Sequence, residues 1–153
     1  MKYTVEDCIN DTEEHIFRVI ENIDEVISNI FLRGTVHDDS KLREPELSIF
    51  VEYTPKLSTT TYGSEEYKEH LKGMQVALDH HYKVNSHHPE HYENGINGMS
   101  LMDIVEMLCD WKAATERHDD GDIYKSLEIN AKRFGIDEQL LSILLNTLKE
   151  LGW

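Results

Sequence analysis

"TVEDCINDTEEHIFRVIENIDEVISNIFLRG", residues 4–34, decides the fold class. Ile9, Ile16, Ile20, Ile23, Ile27 and Ile30 recur in it at intervals of three, four and seven. That spacing stacks apolar side chains on one face of an α-helix. Thr4 stands where an N-cap belongs and Gly34 where a helix stops, so the stretch reads as one helix over residues 4–33.

Working outward, "HDDSK" (residues 37–41) is a turn into "LREPELSIFVEY", a second and weaker helix with Pro45 near its start. "TPKLSTTTYG" (54–63) reads as a loop rich in turn residues. Ser64 opens a third helix that runs to Val84 or His88, where Pro89 forces a stop. After the loop "EHYENGINGM", Ser100 caps a fourth helix over 101–118, and "HDDGD" makes the next break. Helices over 122–134 and 137–151 complete the chain. No repeat and no convincing strand appears. The expectation is an all-α, single-domain bundle of about six helices over residues 1–153, with a site-bearing core at 15–117 and a C-terminal helical extension at 122–153.

A chain of 153 residues with 39% hydrophobic side chains is long enough to bury one core. No run approaches the roughly 20 apolar residues of a membrane span, and "MKYTVEDCIN" lacks the build of a signal peptide. A cytoplasmic protein without membrane partners is expected. Cys8 and Cys109 are read as small core residues and not as a disulfide. The net charge of −15 excludes a basic surface for duplex nucleic acid. An acidic enzyme, a metal binder and a mimic of nucleic-acid phosphate remain.

Histidines narrow that choice. Six of the nine (His70, His80, His81, His87, His88, His91) crowd one segment at irregular spacing, a composition that points to metal binding. On a helix, His81, Asn85 and His88 prolong the stripe of Leu71, Met74 and Leu78, while His80 and His87 point to an adjacent face. At least one member of each His-His pair is therefore expected to be a bystander, and His70 and His91 to be surface residues. His15 flanks the isoleucine stripe and reads as a half-buried histidine or as a ligand. In the fourth helix, Asp103, Glu106, Asp110 and Arg117 share the one stripe that is not apolar. Such a stripe is a solvent edge or a set of carboxylates aimed into a site, because a buried carboxylate is too costly to keep unpaired.

The ordered set of a helical His, a His-Asp pair, a His-His segment and a late Asp resembles the HD-domain metal-dependent phosphohydrolase superfamily. "HDDSK" is similar to the His-Asp-x-Gly/Ser-Lys signature of the branch that includes the HD-GYP phosphodiesterases. "HHPEHYENG" resembles that branch's His-His-Glu segment, and "LCDWKAATER" its final Asp-bearing helix, though the Gly-Tyr-Pro is absent here. The wider run from His80 to Ala114 looks like a small family of uncharacterised bacterial and phage proteins with this core. The resemblance implies an HD-like bundle. It implies a first metal on His15, His37, Asp38 and Asp110, and a second on His81, His87 and His88, bridged by Asp38. It implies hydrolysis of a nucleotide or similar small phosphate through a metal-activated water.

Imidazole and carboxylate donors together suit Mn, Fe, Co, Ni or Zn. Lys41 and Arg117 are candidate phosphate clamps, with Lys112 and Arg33 behind them. Tyr62, Tyr82, Tyr92 and Trp111 are candidates to stack on a base, or core residues. The alternatives are a non-catalytic acidic HD-like inhibitor or binding protein, for which the charge speaks, and a closed structural zinc site. Self-association is left open by the apolar C-terminal helix "LLSILLNTLKELGW".

Overall fold

The computed structural model describes residues 3–60, 64–117 and 121–153. Tyr62 and the "HDD" of the expected break at 118–122 lie outside the described residues. The described residues are helical, with no strand: α1 Val5–Val36, α2 Glu46–Thr59, α3 Glu65–Gly73, α4 Gln75–Val84, α5 Leu101–Thr115, α6 Ile123–Phe134 and α7 Glu138–Leu151. Three short 3-10 turns, Asp39–Leu42, Pro89–His91 and Gly95–Gly98, link them. The chain divides into two compact units, Met1–Val36 and His37–Trp153. No helix among the described residues is long and apolar enough to cross a membrane.

The all-α class stands, but the described residues form seven α-helices where about six were expected. The expected third helix breaks at Met74, which ends α3 and begins α4 and whose N–H is shared between the carbonyls of His70 and Leu71. Gly73 supplies the reason. It is a poor helix former, and a Cβ there would collide with the ring of Tyr53 on α2, so close packing of α2 on α3 selects the residue that weakens the helix. The loop expected at 54–63 is mostly helix: α2 continues through Pro55 to Thr59. Gly34 does not end α1, which runs on to Val36. The chain turns at Asp38, whose φ of 57° places a non-glycine residue in the left-handed region.

Helix starts follow side-chain chemistry. Ser64, Asp122 and Asp137 each accept a backbone N–H of the first turn that follows. Ser100 and Asp103 form a full capping box. The main hydrophobic core of the second unit is built by Met107, Leu108 and Trp111 of α5 with Ile123 and Leu127 of α6 and Leu144 and Leu148 of α7. Residues 122–153, expected as an extension, thus supply four of the seven buried residues of that core. A separate packing centre joins α2, α3 and α4 around Met74 and Ala77. Cys8 and Cys109 are not core residues. Both are free and exposed.

Asp103 is 4% exposed and saturated: Ser86 Oγ donates to its Oδ1 (2.7 Å), and Tyr92 OH (2.8 Å), Ser100 N–H (2.8 Å) and Ser100 Oγ (2.6 Å) donate to its Oδ2. Burial opposes ionisation, but the Ser100 and Ser86 hydroxyls lead the donors that hold its carboxyl well below the usual range. Folded-state stability from Asp103 is therefore complete above the ordinary carboxylate pKa and is lost as pH falls through and below it. Asp103→Ala is expected to cost about 3 kcal/mol in urea unfolding at neutral pH. The gap between variant and parent should close in acid.

Candidate metal centre

Four segments of the second unit converge. The turn after α1 brings His37 and Asp38, α4 brings His81, the bend after α4 brings His87 and His88, and α5 brings Asp110. Asp38, His81, His87 and His88 each place one donor atom within 4.8 Å of the others. His37, His87 and Asp110 do the same, so His87 belongs to both groups. Asp38 stands between them: its Oδ1 lies 3.3 Å from His81 Nε2 and 3.5 Å from His87 Nε2, its Oδ2 3.5 Å from His37 Nε2.

Two carboxylates, one fully buried and one partly buried, orient the rings. Glu106 Oε1 accepts from His37 Nδ1 (3.0 Å) and lies 3.2 Å from His87 Nδ1. Glu46, fully buried, accepts from His80 Nδ1 (2.7 Å) and His81 Nδ1 (2.9 Å). With the Nδ1 positions turned outward to carboxylates, the Nε2 atoms of His37, His81 and His87 point inward. A second carboxylate behind a ligating imidazole is the arrangement that fixes its tautomer and raises its basicity. His81 Nε2 also meets His88 Nε2 at 2.8 Å.

The interior is left electrostatically unfinished. Asp38 Oδ1 and His87 Nε2 are buried and form no hydrogen bond, although they face each other at 3.5 Å. A carboxylate oxygen and an imidazole lone pair repel, and each buried orphan costs about 1–3 kcal/mol. A cation between them removes both penalties. Titration follows the same field. A hydrogen bond to Asp110, against the penalty of burial, raises His37 to about 9. Burial, then the neighbouring His87 and His81, lowers His88 to about 3. Burial first and then Lys41 push His81 down. Burial favours the neutral form of Asp38, yet the Lys41 ammonium and the nearby His37 outweigh it and hold the carboxyl far below its ordinary range.

The other sequence candidates fall as follows. His15 is exposed on α1 and is in neither donor group. Both members of the pair His87 and His88 turn inward, which corrects the expectation of one bystander per pair. Helical spacing does not apply there: α4 ends at Val84, and His88 is extended, φ −96° and ψ 130°. His80 supports Glu46 and is not a donor to the centre. Lys41 Nζ sits 2.6 Å from Asp38 Oδ2 in the turn Asp39–Leu42, with part of its surface open. Arg117 is exposed beyond the end of α5. Lys112 pairs with Glu116. Tyr82 packs edge-on against His88, Tyr92 binds Asp103, and Trp111 is core.

A sequence profile described as a family of unknown function, DUF5662, matches residues 4–150. The chain belongs to that family. No curated protein and no solved structure matches it. The matched span of DUF5662 takes in every donor of the centre and both supporting carboxylates. Glu46 and Glu106 were not assigned from the sequence. Glu106 had a signal, since it lies four residues before Asp110 and so on the same helical face. Glu46 had none, because its partners His80 and His81 are 34 and 35 residues away. Glu106→Gln is expected to weaken Mn or Zn binding by about 10- to 100-fold in calorimetric titration, since a neutral amide oxygen is a weaker acceptor than a carboxylate and does not raise the basicity of the imidazoles behind which it stands.

Proposed function

We propose that this chain is a metal-dependent phosphohydrolase of the HD type, acting on a nucleotide or a similar small phosphate ester. The observation that carries the reading is the facing pair of buried orphans, Asp38 Oδ1 and His87 Nε2, at the middle of six converging donors. Four imidazoles and two carboxylates fit Mn, Fe, Co, Ni or Zn and are a poor set for Ca or Mg. His37, Asp38, Asp110, His81, His87 and His88 would hold one or two such ions. When bound, the ion supplies a Lewis acid for phosphoryl oxygens and a water of sharply lowered pKa.

The chain's own residues divide the remaining work. His81 and His87, with side chains 3% exposed, form a closed floor, while His37 and Asp110, at 26%, form a rim that a ligand can reach. Glu46 and Glu106 face the Nδ1 atoms, which leaves the Nε2 atoms turned toward the centre. Lys41 neutralises Asp38 and offers a point charge for an anionic group at the rim, against a global charge of −15 that repels it. Lys41 is favoured over Arg117 for this role by its contact with the donor set.

The test is purification without chelator, metal analysis, and a screen of p-nitrophenyl phosphate, its diester and nucleotides with added Mn or Co. Metal-dependent release of product is expected. Lys41→Gln should raise KM roughly 10-fold, the worth of one charge-assisted contact, while retaining metal. A loaded protein inert on every ester overturns the activity while leaving the metal centre standing.

A further inference from the structure

We propose that the apolar stripe of α1 is the contact through which a second copy of this chain binds. Val5–Val36 forms a compact unit of its own, and none of its 32 residues is buried. A lone helix of this kind gains too little from propensity to hold itself, so its stability has to come from covering the amphipathic face. That face is continuous: Ile9, Ile16, Ile20, Ile23, Val26 and Ile27 are each between 47% and 58% exposed.

The repeat says what covers it. Ile9, Ile16, Ile23 and Ile30 stand at successive intervals of seven. A strict seven-residue repeat keeps its seam only against another helix supercoiling with it, and β-branched side chains at such positions pack as knobs into the holes of a facing helix. A copy of α1 carries the same repeat, and a two-fold contact needs one patch that is complementary to itself. Eight apolar side chains of the stripe, at roughly 60 Å² each on both helices, remove about 1,000 Å² of surface. That reaches the area at which a specific interface forms.

Charge excludes the other common use of such a helix. Helices that lie on membranes carry Lys and Arg on the polar face. α1 has no Lys, and eight acidic residues stand against Arg18 and Arg33. Asp7, Asp11, Glu14, Glu21 and Glu25 fall on the side opposite the isoleucines at about 100° per residue. They repel lipid phosphate, and Glu13, seven residues before Ile20, is the acidic residue that stands in register with the seam. Val19 and Ile20, and Val26 and Ile27, widen the stripe to three positions per heptad, which suits a pair of helices or two pairs together.

Light scattering and sedimentation equilibrium of the full chain over a wide concentration range test this. The expected mass is two or four chains. Ile20→Glu with Ile23→Glu should give the mass of one chain. Trp111 and Trp153 both lie in the second unit, so their unchanged fluorescence melt would show that unit still folded. Glu14→Lys with Glu25→Lys, on the opposite face, should leave the assembled mass unchanged. A parent chain that sediments as one copy at every concentration overturns the proposal, whether its own chain or nothing covers the stripe. An Ile→Glu variant that keeps the parent's mass overturns it as well.

Discussion

Asp38→Asn is expected to lower the affinity for Mn or Zn by about 100-fold or more while the metal-free protein stays folded. The asymmetry comes from where the carboxylate sits. Its Oδ1 is buried with no hydrogen bond, within 3.3–3.5 Å of two imidazole nitrogens, and its Oδ2 faces His37 and Lys41. Without a metal, Lys41 and His37 balance the negative charge from the Oδ2 side, while Oδ1 stays without a donor. An amide of the same shape can donate to the His87 Nε2 lone pair that the carboxylate oxygen repels, so one orphan is removed and not created. Lys41 loses its partner but has solvent access. Asn also tolerates the left-handed backbone at this position, whereas Asp38→Ala would add about 1–2 kcal/mol of strain there. Titration calorimetry for the metal and urea unfolding of the stripped protein give the two readings. A stripped Asn variant with no cooperative urea transition would make Asp38 a structural residue, and one that binds Mn and Zn as tightly as its parent would sink its assignment as a ligand.

Much of this arrangement could be read from residue types and spacing. Caps at Ser64 and Ser100 and the last two helices depend on local chemistry, which a linear reading captures. The break at Met74 does not, because the reason for Gly73 is the ring of Tyr53 twenty residues earlier. The same division runs through the site. Type and order picked out His37, Asp38, His81, His87, His88 and Asp110, since few other roles suit those side chains on greasy faces. The supporting layer was hidden. Glu46 is an acidic residue at a helix start, where carboxylates are commonplace, and only the approach of α4 makes it a buried brace. Asp103 and Asp110 share a stripe, yet one caps α5 and ties down Ser86 beside the paired histidines, while the other enters the donor set. Periodicity assigns a face. It does not say which other element that face meets.

Stripping the metal is expected to do more than lower the melting temperature of the second unit. At free metal about a thousand times the dissociation constant, binding adds about 4 kcal/mol to the folded state, or roughly 8–16 °C for a chain of this size. The architecture gives that energy a particular place. One packing centre joins α2, α3 and α4, and the main core joins α5, α6 and α7. The donors straddle the two: His81 belongs to the first, Asp110 to the second, and His37, Asp38, His87 and His88 to the turns between. An ion at the centre would tie both cores into one cooperative body. Glu106 with His37 and His87, and Asp103 with Ser86, would then be left to hold them together when it is removed. Chelated protein should therefore melt in two steps. Far-UV circular dichroism would register the α2–α4 part first, and the fluorescence of Trp111, buried in the α5–α7 core, would report the later one. Restoring Mn should merge the two curves and move them upward together. Coincident curves at the same temperature with and without metal would mean that no ion bridges the cores. The orphaned Asp38 and His87 would then be a cost the fold carries for some other reason.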